Sequence, residues 1–191
     1  MIDLSLNEAE TLAAKAARGG GFSWGLADDI GRAARLLASQ GESWGEALLA
    51  LFGAKQTFEP PAAERIALWR RGEQDIPGAR PLCPVRTAAL LLDDAADIGA
   101  TLRIAKVGLP IWLTAVLTRA GGWIVDVQDT LAESDVIVRR DAAVERAPGA
   151  RRAAIAPPTL AALNGYAART YVPESERSRR RGAGGGTVDD E

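Results

Sequence analysis

The chain has 191 residues, 47% apolar and 25% charged, enough for one globular unit with a full core. Its formal net charge is −2, whereas nucleic-acid binders carry a basic surplus to neutralise phosphate, so nucleic acid is not an expected partner. Histidine is absent and Cys83 is the single cysteine, which excludes Ser-His-Asp and Cys-His catalysis, histidine- or thiolate-ligated metals and an internal disulfide.

The N-terminal third reads as helical. Ser5-Leu6-Asn7-Glu8 is a capping box, and Ala9, Leu12, Ala13 and Ala16 follow at helical spacing until Gly19, the expected stop. Ser23 is placed to cap a second helix, whose apolar face is Leu26, Ile30, Ala33, Ala34 and Leu37, closed by Gly41. Ser43-Trp44-Gly45-Glu46 reads as another capping box opening a short helix that ends at Gly53. Pro60-Pro61 leads a fourth helix with Ala62, Ile66 and Trp69 on one face, ending at Gly72.

A Pro/Gly-punctuated connector spans residues 73–86, and the pattern then changes. The apolar run 87–92 predicts a buried strand, and Leu102, Arg103, Ile104 and Ala105 roughly alternate. Pro110 opens a helix to Gly121. Residues 122–128, 135–140 and 151–156 predict strands of one meander, with turns at 131–134 and Pro148-Gly149. Pro157-Pro158-Thr159 opens a last helix carrying Leu160, Leu163, Ala167 and Tyr171, ended by Pro173. Helices first and strands later predict an α+β fold: N-terminal helices, then a small, mainly antiparallel sheet with one or two covering helices. The expected organisation is a single domain over residues 1–173 and an Arg/Gly-rich tail over 174–191, flexible alone or docked, with Val188 its only sizeable apolar residue. The start of the chain lacks the basic and apolar pattern of a signal peptide, and the apolar runs are too short or too broken to span a bilayer. A cytoplasmic protein without a membrane partner is expected.

With histidine absent, any site must use Lys, Arg, carboxylate, hydroxyl or Cys83 chemistry. The run from Lys15 to Gly25 is the strongest candidate. A glycine turn that feeds a helix N-terminus exposes amides where the helix dipole favours an anion, and Lys15 and Arg18 stand one turn before it. The expected ligand contacts are Lys15, Arg18, Gly20, Gly21, Ser23 and Trp24, joined by Arg177 and Arg179 of the tail. The same run also reads as a tight helix–helix connection with Trp24 as a core anchor. Asp28 pairs with Arg32 at i,i+4 in the sequence pattern, and Asp29 and Arg35 flank them. The adjacent carboxylates Asp28-Asp29 diverge on a helix and read as surface charge. Asp93-Asp94 at a strand end reads as a turn. Cys83 lacks an activating histidine and reads as a buried thiol unless Arg80 or Arg86 approaches. No metal site and no cofactor are expected. Residues 5–41 can be read as a helix-turn-helix, against which the acidic start of the second helix counts.

The runs 15–29, Lys-Ala-Ala-Arg-Gly-Gly-Gly-Phe-Ser-Trp-Gly-Leu-Ala-Asp-Asp, and 169–173, Arg-Thr-Tyr-Val-Pro, with the Gly-rich acidic end after it, resemble an uncharacterised bacterial family, a domain of unknown function. That resemblance implies no substrate and no mechanism. It implies that the low-complexity tail docks somewhere.

The expected function is binding of an anionic small molecule, or a role as an enzyme-associated protein. The alternative is a non-catalytic interaction partner that reaches another protein, or a second copy of itself, through its tail. The site expected from the sequence unites residues 15–24 with the arginine–glycine tail. Its cations repel one another unless an anion, Asp28, Asp29 or the acidic end Asp189-Asp190-Glu191 lies between them.

Overall fold

The computed structural model describes residues 1–95, 101–141 and 149–171. The chain opens with a short strand, β1 (Ile2–Ser5), and runs directly into α1 (Leu6–Gly19). The capping box forms: the Ser5 amide donates to Glu8 Oε2 at 2.7 Å and the Glu8 amide to Ser5 Oγ at 3.2 Å. α1 buries Ala9, Ala13, Ala16 and Ala17, and α2 (Trp24–Ser39) buries Ala27, Ile30, Ala33, Ala34 and Leu37. These small residues let the two helices pack closely as an antiparallel hairpin.

Gly19 does not stop α1. The helix includes it, and the left-handed conformation falls to Gly21 at φ 80°. Gly19 instead admits α7 (Pro157–Ala168), because a Cβ there would fall inside the Tyr166 carbonyl group.

α3 (Trp44–Ala54) supplies Trp44, Leu48 and Leu51 to the core and ends in a 3-10 turn at Lys55–Thr57. Its expected capping box is absent. Ser43 makes no side-chain cap bond, and Glu46 is drawn away to accept from the Thr159 hydroxyl of α7 at 2.8 Å. α4 (Ala63–Arg70) turns Arg65 and Trp69 inward, while Ala62 is exposed and Ile66 half-buried.

Residues 87–92 are helical, part of α5 (Pro84–Asp93). Pro84 at the first helical position starts it, and Val85, Ala88 and Leu91 recur at three-residue spacing on its buried face. The apolar run is shorter than the periodicity needed to separate a buried helix from a buried strand. Asp93 and Asp94 therefore lie at the end of a helix, and Arg70 NH2 donates to both Asp94 oxygens at 2.8 Å.

The main sheet contains β2 (Thr101–Val107), β4 (Ser134–Arg140) and β3 (Trp123–Val127), in that order and all antiparallel. β2 and β3 are thus parallel to each other with β4 between them, joined by α6 (Pro110–Ala120) in a split crossover. Leu102, Ile104, Val136, Val138 and Trp123 face the core, where α6 contributes Trp112, Leu113 and Leu117. Leu82 bridges β2 at Val107, and Glu59 bridges Leu82, so two single-residue steps extend that edge. β5 (Arg152–Ile155) does not join the meander. It pairs antiparallel with β1, Ile2 opposite Ile155, as a second, two-stranded sheet beside the helical hairpin. The fold is α+β.

A buried ion pair fastens the connector to the sheet. Arg65 and Asp75 are 6% and 2% exposed at their side chains. Arg65 Nε donates to Asp75 Oδ1 at 2.8 Å and its NH2 to Asp75 Oδ2, while Asp75 Oδ2 also accepts the Ala105 amide at 2.8 Å. Arg65 NH2 donates in turn to the Ala105 carbonyl at 2.9 Å. The next residue, Lys106, sits at φ 53° where β2 breaks register, and its amide donates to Asp135 Oδ1 at 3.1 Å.

α7 ends at Ala168, and Tyr171 lies beyond it, 63% exposed. The expected domain end at residue 173, the tail 174–191 and Pro148 lie outside the described residues.

Candidate functional site

The glycine turn does not present open amides. The Gly20 amide donates to the Ala16 carbonyl at 2.8 Å, Gly21 to Arg18 at 2.9 Å and Phe22 to Ala17 at 3.0 Å. The turn's carbonyls face a cation instead. Lys55 Nζ, at the end of α3, donates to the Gly20 carbonyl at 2.9 Å and to Gly21 at 2.6 Å, and lies 5.0 Å from the Phe22 ring centroid. A Cβ on Gly21 would meet that Nζ at 2.7 Å. Gly20 and Gly21 therefore serve the connection between α1 and α2, with Lys55 as its clamp. Ser23 occupies the cap position of α2 without a side-chain cap bond.

Trp24 is not a core anchor. It is 71% exposed, whereas Trp44, Trp69, Trp112 and Trp123 are all buried. The Arg18 guanidinium carbon stands 4.2 Å from the Trp24 ring centroid, and Arg18 NH2 donates to Asp28 Oδ1 at 2.6 Å. The sequence pairing of Asp28 with Arg32 gives way to this contact between helices, and Arg32 turns to Asp29 at 3.6 Å, an i,i+3 pair. Arg35 reaches back to α1, donating to Glu10 Oε2 at 3.3 Å and to Asn7.

Lys15 and Arg18 do lie together, in an open groove of about 250 Å³ between α1 and α2 that Thr11, Arg32, Glu10 and Asp28 complete. Three cations there meet two carboxylates. Among the described residues Lys15 makes no hydrogen bond or ion pair, and Arg18 Nε is buried without a partner. A second groove, about 340 Å³ between α1 and α7, is lined by Leu12, Asn164, Ala167 and Tyr171, and Lys15 borders it as well. Lys15 is thus the ridge shared by two grooves. The expected contacts Arg177 and Arg179 lie outside the described residues. Sequence reading missed Lys55, Arg32 and Tyr171. The first carries no local signal, and in the sequence the other two read as half of a helix-surface pair and as part of an apolar stripe.

The remaining chemistry is spent elsewhere. On the outer face of the main sheet, Arg103 pairs with Asp135 at 3.1 Å and Arg139 with Asp126 at 2.8 Å. Hydrogen bonds from the Lys106 amide and then Arg103 hold the Asp135 carboxyl below the usual carboxylate range. Cys83 is buried, and burial pushes its thiol up despite the nearby amides of Arg86 and Val85. It is therefore unsuited to nucleophilic work. Among the described residues no cluster of three or more His, Cys, Asp or Glu side chains could hold a metal ion, and no helix is long and apolar enough to cross a membrane.

Residues 4–50 match the model of a family described as a protein of unknown function, DUF3726. The DUF3726 match takes in the second half of β1, all of α1 and α2 and most of α3, and with them Lys15, Arg18, the glycine turn, Trp24 and Arg32. Lys55, which clamps the turn, and Tyr171, which closes the second groove, lie outside it. No curated protein and no solved structure matches the chain.

Proposed function

We propose that the protein binds a carboxylated or phosphorylated small molecule on the α1–α2 face. Lys15 and Arg32 act as counter-charges, and the Arg18–Trp24 stack forms an amphipathic wall. The observation that carries this reading is Trp24: a large ring left 71% exposed and stacked on the guanidinium of Arg18, itself a wall of a groove whose lysine has no partner among the described residues. The groove is open to solvent rather than a closed cleft that would exclude water from a reaction, which favours binding over catalysis. The single, buried cysteine supports a setting in a reducing cytosol.

A thermal-shift titration with inorganic phosphate and citrate tests this, with Trp24 emission followed in parallel. Binding raises the melting temperature by mass action, and Lys15→Ala/Arg32→Ala removes the rise. Phosphate and citrate that move neither the melting temperature nor the emission of the intact protein would sink the small-molecule reading. The second reading, a protein partner engaged with help from the C-terminal tail, draws on composition. Trp24, Arg18 and Tyr171 are the residue types that dominate interface energetics, all exposed or half-exposed on neighbouring surfaces. A stable complex isolated through this face and lost in Trp24→Ala would favour it.

A further inference from the structure

We propose that the groove bordered by Lys15 and Arg32 is the docking site of the chain's own acidic end, Asp189-Asp190-Glu191, which competes there with any external anion. The inference rests on the reading that this groove accepts an anionic group, and it names an intramolecular occupant for it.

Three observations converge. Tyr171, the last described residue, lines the α1–α7 groove with Lys15, so the described chain ends beside a cation that has no partner among the described residues. The charges of the remaining segment are segregated: Arg177, Arg179, Arg180 and Arg181 first, then Gly182 to Gly186, then the three carboxylates. Complementarity selects which part docks. Arginines would be repelled by Lys15, Arg18 and Arg32, whereas the acidic end supplies the charge that the groove lacks.

Eighteen residue steps separate Tyr171 from Asp189. An unstructured polypeptide of eighteen residues spans about 23 Å root-mean-square, so the sequence separation suffices for the carboxylates to reach a groove bordered by Lys15. Such a tether gives an effective concentration on the order of mM. Against a local dissociation constant of about 1 mM, a few mM of acidic end fills the groove roughly three-quarters of the time.

The test uses lysine chemistry and the full chain. The protein has three lysines: Lys15, Lys55 and Lys106. Acylation needs an uncovered amine, so a docked acidic end slows Lys15. Lys55, already bonded to two carbonyls, and Lys106, on the sheet, serve as internal references. Residue-resolved acylation rates from mass spectrometry would be compared at low ionic strength for the native chain and for Asp189→Asn/Asp190→Asn/Glu191→Gln. The expected result is that Lys15 reacts about fourfold faster in the neutralised chain, with Lys55 and Lys106 unchanged. The difference is expected to disappear in 1 M salt, where the screening length is about 3 Å. Equal Lys15 rates in the two chains overturn the proposal. A difference that vanishes on dilution places the acidic end on another copy and also overturns it.

Inorganic phosphate separates this inference from the functional reading. If both stand, phosphate stabilises the neutralised chain at about fourfold lower concentration than the native chain. If phosphate stabilises neither chain while the Lys15 rates differ, small-molecule binding fails and self-docking stands. If phosphate stabilises both equally and the Lys15 rates are equal, self-docking fails and binding stands.

Discussion

Replacing Asp75 by alanine leaves the Arg65 guanidinium buried beside Trp69 without its counter-charge. Among the described residues Arg65 keeps only the Ala105 carbonyl and its NH1 already lacks a partner, and the Ala105 amide loses its acceptor as well. Breaking a buried pair from one side costs about 3–5 kcal/mol, a large share of the roughly 5–15 kcal/mol that holds a domain of this kind together. In a chain of this length each kcal/mol corresponds to about 2–4 °C, so the melting temperature should fall by about 6–20 °C. Removing both charges with similar volume, Arg65→Met/Asp75→Leu, should cost far less than the single change, since desolvation is relieved along with the attraction. Urea unfolding followed by near-ultraviolet circular dichroism reads both. An Asp75→Ala variant within about 1 kcal/mol of the native protein, or a double variant as unstable as the single one, would refute the view that this pair fastens the connector to β2.

Gly19→Ala should destabilise by about 1–3 kcal/mol by forcing α7 away from α1, which equilibrium unfolding measures; a neutral effect would show that the helices do not meet through that backbone contact. Cys83 should be inert to a disulfide reagent at pH 8 in the folded protein and react stoichiometrically in urea. Its raised thiol contributes stability that is complete below the ordinary cysteine value of about 8.5 and declines as pH rises through the folded value. Asp135 works in the opposite sense. Its lowered carboxyl contributes stability above the ordinary aspartate value of about 3.9, lost as pH falls through the folded value. The difference in stability between native protein and Asp135→Asn should therefore be present at pH 7 and shrink in acid, and a difference independent of pH would refute the ion-pair account.

Much of the fold was legible in local patterns. The Ser5–Glu8 box, the alanine spacing of α1, the proline starts of α6 and α7 and the alternation of β3 all act over a few residues, so the sequence displays them directly. Tertiary structure decided what local patterns leave open. Residues 87–92 became a helix because one buried face at three-residue spacing and an N-terminal proline outweighed a short apolar run. β5 left the meander because β1, nearly the whole chain away, offered a free edge. At the candidate site, the sequence by itself marked the Lys15–Trp24 region, but not its use. The glycine amides are consumed within the turn, Lys55 takes the carbonyls from another helix, Asp28 bonds Arg18 rather than its helical neighbour, and Trp24 stays outside the core. Each of these outcomes depends on which helices are brought side by side. Partner choice between groups distant in sequence is set by packing, whereas caps and periodicity are set by the backbone within a turn or two.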